Sequence, residues 1–294
     1  MPMAVWMMDI PEKKCYSDRA TMCVRRQITY DISQLTPYIN WAYFFFAWQV
    51  RDAGEQARLQ REAELLLDGM EGKYHVHALF LIADANSDGD DLIVAGHRIP
   101  LLRQQQVAGQ SPCLCLADFV RPLDQGIPDR AGLFATTVDA SLEKDFLKDD
   151  YLRMMVQLLA DRLAEAAAEK MHEQVRRQDW GYAPEERLTM DQLHSEQFQG
   201  IRPAVGYPSL PDTSINFLLS QILGFSDIGI RLTENGAMRP HASVSGLMLA
   251  HPQARYFAVG TIDEVQLCDY ARRRGIPVEL MRTFLAANLR EKRR

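Results

Sequence analysis

Apolar positions recur at three- and four-residue spacing in two long stretches. From Gly54 to Gly72, Ala57, Leu59, Ala63, Leu65 to Leu67 and Met70 fall on one face with charges between them, which predicts a helix. Tyr151 to Arg177 contains no Gly or Pro and is rich in Ala, Leu and Met. It predicts one helix roughly 40 Å long. Asp149 and Asp150 before its start, and Arg176 and Arg177 at its end, complement the helix dipole. Its expected buried stripe is Met154, Met155, Leu158, Leu159 and Leu163. Glu165, Glu169, His172 and Arg176 share a second, polar face.

Other stretches alternate or run apolar over a strand's length: Tyr74 to Ala83, Leu92 to Val94, Cys113 to Val120, Gly132 to Val138, Ile228 to Glu234, His241 to Ala250 and Arg255 to Gly260. The last two are separated only by His251 to Ala254, so an antiparallel hairpin is expected. Thr36 before Pro37 reads as an N-cap for the aromatic run ending at Trp48, whose rings suit packed core or pocket lining. Leu101 to Gln106 reads as a polar helix or turn. Further helices are predicted between Tyr182 and Gly200, over Asp212 to Ile222, over Glu264 to Arg274 with Gly275 as the stop, and from Pro277 to Leu285. Residues 1 to 30 show no period and read as an N-terminal extension or a partner-wrapping arm. Residues 31 to 294 read as one α+β domain with antiparallel strands and segregated helices.

A chain of 294 residues, 47% hydrophobic and 24% charged, can bury a full core. A net charge of −6 argues against a nucleic-acid surface as its main business. The basic end, Arg290 to Arg294, reads as a solvated tail or an acidic partner's patch. No apolar run approaches the ~20 residues of a membrane-spanning helix, and the five cysteines lack a CxxC pair. Free thiols in a cytoplasmic protein, with no structural zinc, are expected.

Asp84 to Asp91 imitates the first half of an EF-hand loop, but Ala95 stands at the twelfth position, where a bidentate Glu is needed. A hairpin turn is expected instead. His75 and His77 would share a strand face, which alone is a weak metal site. Glu169 and His172 form one Glu-x-x-His pair without the second copy that a di-iron bundle requires. No phosphate-loop, nucleophile-elbow or HExxH signature occurs.

The least generic stretch is Gly200-Ile-Arg-Pro-Ala-Val-Gly-Tyr-Pro208. Its glycines and prolines preclude a through-running helix and predict an ordered, irregular loop. Such a loop fixes one guanidinium and one phenol. Arg202 would either pair with a local carboxylate as part of a structural turn or meet a ligand's carboxylate or phosphate. Arg202, Tyr207, Glu234, Tyr256, Glu165 and Glu196 together suit a zwitterionic, amino-acid-like ligand.

Tyr38-Ile-Asn-Trp41, Leu101 to Gln105, Leu116-Ala-Asp-Phe119, Asp161-Arg-Leu-Ala-Glu-Ala166, Trp180-Gly-Tyr182, Gly200 to Pro208, Leu232-Thr-Glu234, Ala242-Ser-Val-Ser-Gly246 and Asp269 to Gly275 occur in this order. Together they resemble the activation domain of cobalamin-dependent methionine synthase, over roughly Tyr38 to Leu289. The resemblance implies a C-shaped domain with a twisted antiparallel sheet that binds S-adenosylmethionine in a shallow groove. Such a domain presents the methyl group to oxidised cobalamin on a partner domain or subunit, with a flavodoxin-like protein or a flavoprotein reductase as electron donor. The protein's part in this chemistry is placement. The resemblance nominates Asn40, Arg202, Ala204, Tyr207, Tyr256 and Phe257 as ligand contacts, Glu165, Glu196 and Glu234 as further ligand or corrin contacts, and no catalytic or metal-ligating residue.

Asn40 stands where the family usually has an Asp that binds the ligand's amino group. Pro211-Asp212-Thr213 is one residue short of the family's string, and Asn235 and Gly236 replace a Ser and an aromatic residue. The chain lacks the DxHxxG cobalamin-ligating motif and the cysteine-rich zinc strings, so it is expected to be a component of methionine synthase. The initiating Met and the N-terminus favour a separate polypeptide over an excised fragment. The alternatives are a free-standing S-adenosylmethionine-dependent methyltransferase and a reactivator of another corrinoid methyltransferase.

Overall fold

The computed structural model describes residues 23–289 other than 108, 110, 147 and 148. Of the extension expected over residues 1 to 30, residues 1 to 22 lie outside the described residues, as does the basic tail from Arg290, while Cys23–Tyr30 is not an arm but a strand of the main sheet, paired along Val76 to Ala83. The strands are β1 (Cys23–Tyr30), β2 (Val76–Asp88), β3 (Asp91–Val94), β4 (His97–Pro100), β5 (Asp129–Val138), β6 (Arg231–Leu232), β7 (Met238–Arg239) and β8 (Ser243–Met248). The α-helices are α1 (Ile32–Leu35), α2 (Trp41–Ala47), α3 (Ala53–Met70), α4 (Leu142–Asp145), α5 (Asp150–Gln174), α6 (Met190–His194), α7 (Ile215–Leu223), α8 (Glu264–Arg274) and α9 (Val278–Phe284).

The main sheet is wholly antiparallel and runs β4-β3-β2-β5-β8, with β1 also against β2. β2 carries it. One edge of β2 pairs with β1 from Val76 to Ala83 and then with β3 from Ala85 to Asp88, while the other pairs with β5. The sheet curls into a half-barrel. Both faces are covered, which explains why β2 reads as a nearly continuous apolar run rather than a clean alternation. Val76, Ala78, Phe80 and Ile82 pack under α3 and α5, whereas Leu79, Leu81, Ala83 and Ala85 pack with Leu219 and Leu223 of α7. A third apolar cluster joins α8 and α9 to Leu102, Val259 and Ile262.

α5 lies across the sheet, with Thr136 of β5 donating its hydroxyl to the Ala164 carbonyl at 2.9 Å. Small side chains at Ala160, Ala164, Ala167 and Ala168 let the helix settle close to the strands. Met154, expected in the buried stripe, is 44% exposed; the stripe runs instead through Met155, Leu159, Leu163 and Met171. The expected polar face is not solvated either. His172 and Arg176 are fully buried, and α5 ends in a π-turn over Val175–Asp179.

Several expectations are corrected. Asn40, not Thr36, caps α2: its Oδ1 accepts from the Ala42 amide at 3.2 Å, and Thr36–Tyr38 is a separate 3-10 turn. Cys113 to Val120 is not a strand, because Leu116–Phe119 winds as a 3-10 turn after Cys115. Leu101 to Gln106 forms neither helix nor strand; its amides tie segments together, with Gln104 donating to the Ala258 carbonyl at 2.8 Å and Gln105 accepting from the Asp263 amide at 2.6 Å. Only Arg231–Leu232 of the stretch Ile228 to Glu234 is strand. Arg255 to Gly260 does not pair with β8 at all.

The free side of β8 is taken by the Gly200 to Pro208 loop. The Leu247 amide donates to the Pro203 carbonyl at 3.0 Å and the Val205 amide to the Ser245 carbonyl at 2.8 Å. The approach requires Gly246, since a Cβ there would lie 2.1 Å from the Pro203 oxygen. Sequence pattern saw two strands close together in the chain, but the missing side chain decides which segment can sit against β8.

The hairpin expected over Asp84 to Asp91 is present, but its turn is confined to Gly89 and Asp90, and Ala85 to Asp88 continue β2 in pairing with Asp91–Val94. His75 and His77 converge on Asp139, His77 Nε2 at 2.9 Å. The shortened Pro211 to Thr213 string is an anchor: buried Asp212 accepts from Tyr270 and Ser214, each at 2.8 Å. Next to it, Thr213 Oγ1 donates to the Asn235 carbonyl at 3.4 Å, and Asn216 donates to the Gly236 carbonyl at 2.8 Å. The two departures from the family strings therefore meet in space.

Candidate functional site

A cleft of about 740 Å³ opens where α2, α5, α6, the Gly200 to Pro208 loop and the segment after β8 converge. Helical spacing decides what α5 contributes: Leu158, Arg162, Glu165, Ala166 and Glu169 lie three or four residues apart and face one way. The other side comes from Tyr38, Asn40, Tyr43, Phe44, Phe46 and Ala47, at and before α2. Leu193, His194 and Glu196 form one end. Arg202, Ala204, Tyr207, Pro208 and Ser209 of the loop, with Val244, Tyr256 and Phe257, complete the lining.

Arg202 is the most constrained group here, its side chain only 12% exposed. Nη2 meets Glu169 Oε2 at 3.2 Å, Nη1 donates to the Ala168 carbonyl at 3.3 Å, and the guanidinium carbon stands 5.9 Å from the centroid of the Phe134 ring. Its backbone amide donates to the Tyr256 hydroxyl at 2.9 Å. Burial opposes its charge, but Glu169 above all, then Tyr256, Glu165 and Glu196, hold it firmly protonated. Arg202 thus has the local carboxylate partner of the structural reading and also lines an open cleft.

The Tyr207 hydroxyl donates to Glu165 Oε1 at 2.9 Å. The nearby Glu165 charge, with burial second, pushes the phenol up to about 12, so it stays a donor. Glu196 sits in the left-handed region at φ 56°. Loss of water around its carboxyl raises its pKa; Arg202 works against that rise and Glu169 adds to it. Glu169 Oε1 is buried and takes no hydrogen bond among the described residues.

Behind the cleft lies a buried network. Arg176 meets Glu186 through Nη2 at 2.7 Å and Nε at 3.0 Å, and stacks 4.0 Å from the Phe198 ring centroid. Its Nη1 donates to His172 Nδ1 at 3.0 Å, which leaves the His172 proton on Nε2, 3.4 Å from the Tyr182 hydroxyl. Burial first, then the Arg176 and Arg202 charges, depress the His172 pKa well below its ordinary value. The network fixes the path of the chain between Trp180 and Gly200, and so the wall bearing Glu196. His194 Nε2 donates to the Tyr38 carbonyl at 3.1 Å, pinning that wall to the segment before α2.

Of the residues nominated from the sequence, Asn40, Glu165, Glu196, Arg202, Ala204, Tyr207, Tyr256 and Phe257 line this cleft. Glu234 does not: it is exposed in the β6–β7 turn. Sequence reasoning paired Glu169 with His172, whereas the structure parts them, sending Glu169 to the cleft and His172 into the buried network. Its four-residue spacing from Glu165 was the signal that could have placed it. Tyr43, Phe46 and Arg162 were also missed; the aromatic density after Pro37 was the available hint for the first two. Among the described residues, no group of three or more His, Cys, Asp or Glu side chains is placed to hold a metal.

The model of the vitamin B12 dependent methionine synthase activation domain matches residues 31–275. Among solved structures, a crystal structure of the MetH reactivation domain bound to AdoHcy is similar at a TM-score of 0.87 and 36% identity, with 92% of this chain and 91% of that chain covered.

Proposed function

The chain belongs to the family of vitamin B12 dependent methionine synthase activation domains, and we propose on that basis that its cleft binds S-adenosylmethionine and presents the methyl group to a partner's cobalamin. The observation that carries this reading is the convergence of eight nominated residues, from five separate stretches of chain, on one cleft. The similar MetH domain holds AdoHcy, the demethylated form of the same molecule.

The residues divide the work by chemistry. Arg202 offers its fork to the ligand's carboxylate, pre-aimed by Glu169 and the Ala168 carbonyl. Asn40 faces the ammonium. Tyr207 and the Tyr256–Phe257 segment hold the remainder of the ligand. The rim carries exposed rings, Tyr43 at 63%, Phe46 at 82% and Tyr207 at 52%. Exposed apolar rings around a binding cleft suit coverage by a second surface, which is what a domain that presents a ligand needs. When the partner docks, one electron from a flavodoxin-like donor and the methyl group of S-adenosylmethionine convert cob(II)alamin to methylcobalamin and leave S-adenosylhomocysteine. This chain's contribution is to hold the sulfonium carbon in line, an effective-concentration effect.

Calorimetry tests the reading. Wild-type protein should bind S-adenosylmethionine, and Arg202→Ala should weaken it by roughly 30-fold or more, as removal of a buried charged partner generally does. Absence of binding to the wild type at millimolar ligand refutes it.

A further inference from the structure

This inference rests on the S-adenosylmethionine reading and concerns which form of that ligand the cleft prefers. We propose that Glu169 and Glu196 are specificity-determining residues that make the cleft select the charged sulfonium over the neutral thioether left after methyl transfer.

The lining holds three carboxylates, Glu165, Glu169 and Glu196, against two guanidinium groups, Arg162 and Arg202. The protein satisfies these acids unequally. Glu165 accepts the Tyr207 hydroxyl. Glu169 gives one oxygen to Arg202, and its other oxygen is buried without a hydrogen bond among the described residues. Glu196 makes no side-chain hydrogen bond or ion pair to any described residue, although its left-handed backbone fixes it on the cleft wall. The lining is thus one cation short, and partial loss of water around the Glu196 carboxyl raises its pKa. Arg162 is directed elsewhere, with its guanidinium carbon 5.9 Å from the centroid of the Tyr43 ring.

S-adenosylmethionine brings a carboxylate, an ammonium and a sulfonium, and so one net positive charge. Transfer breaks the sulfur–methyl bond, the electron pair stays on sulfur, and the methyl joins the nucleophilic acceptor. The sulfonium becomes a thioether and the ligand becomes net neutral. The carboxylate still meets Arg202, but the surplus negative charge of the cleft loses its partner. A unit charge about 7 Å away at an effective dielectric near 20 changes affinity by some tens of fold at most, and solvent at the mouth reduces that to about tenfold. The cleft would therefore hold the donor and let the spent product leave.

The test compares S-adenosylmethionine, S-adenosylhomocysteine and sinefungin, which carries an amine near the sulfonium position, by calorimetry on the wild type, Glu196→Gln and Glu169→Gln. The wild type should bind both cationic ligands about tenfold tighter than S-adenosylhomocysteine. Glu196→Gln should cut that preference to roughly threefold or less, with little change for the thioether, and Glu169→Gln should act in the same direction. Glu196 is exposed on the cleft wall, so its variant should fold even where the half-buried Glu169 variant does not. A wild-type preference near unity, or a preference unchanged in Glu196→Gln, overturns the proposal while leaving the binding reading intact. Equal weakening of all three ligands also overturns it, because that marks a merely structural role. Failure of all three to bind the wild type removes the reading and the proposal together.

Discussion

Asn40 shows how one atom can serve fold and site together. Its Oδ1 caps α2 by accepting from Ala42, and the same side chain lines the cleft. An Asp there would keep the cap, because both residues rank among the best N-caps, and would add a charge that the helix N-terminus welcomes. Asn40→Asp should therefore change stability by no more than about 0.5 kcal/mol in urea unfolding. It should tighten S-adenosylmethionine roughly three- to tenfold in calorimetry, since it adds a carboxylate facing a cationic ligand. Loss of binding in this variant would show that the cleft already holds as much negative charge as it tolerates.

At the scale of elements, α5 does most of the organising. Its outer turns supply Glu165 and Glu169 to the cleft, and its last turn with the π-turn that follows carries His172 and Arg176 into the buried network. The sequence showed the length of this helix and the shared face of those four residues. It did not show that the face is covered, because a polar stripe with i, i+4 charges looks the same on a solvated helix and on one roofed by a distant segment such as Tyr182 to Phe198. The covering has a pH signature. The unfolded chain protonates its imidazole below about pH 6.5, while the folded protein holds His172 neutral until well below that. The unfolded state therefore binds more protons in this window, and stability falls as pH drops below about 6.5, by up to about 1.4 kcal/mol per pH unit from this residue. Urea titrations between pH 5 and 7 should show the decline, and His172→Gln, which keeps an acceptor for Arg176, should flatten it.

Across the whole molecule, the α+β class, the long helices, the central strand and most of the cleft residues were legible because each depends on local pattern or on a specific string. The pairings of β8 were not. Arg255 to Gly260 has strand-like composition, and nothing local reveals that Gly200 to Pro208 comes from forty residues upstream to take its place. The decisive residue is Gly246, where a missing side chain lets the loop lie against the strand. Gly246→Ala should cost about 2–4 kcal/mol in urea unfolding and should weaken S-adenosylmethionine in step, since the displaced segment carries Arg202, Ala204 and Tyr207.

That arrangement also bears on how the protein behaves in a crowded solution. β8 is the last strand of its sheet, and its outer amides and carbonyls would be a template for another chain if left bare. The Gly200 to Pro208 loop is what covers them, at Ile201, Pro203 and Val205. Damage to this loop should therefore be read first by light scattering: a variant that lets it lift would self-associate through β8, and its lost binding would follow from material leaving solution as much as from a missing contact.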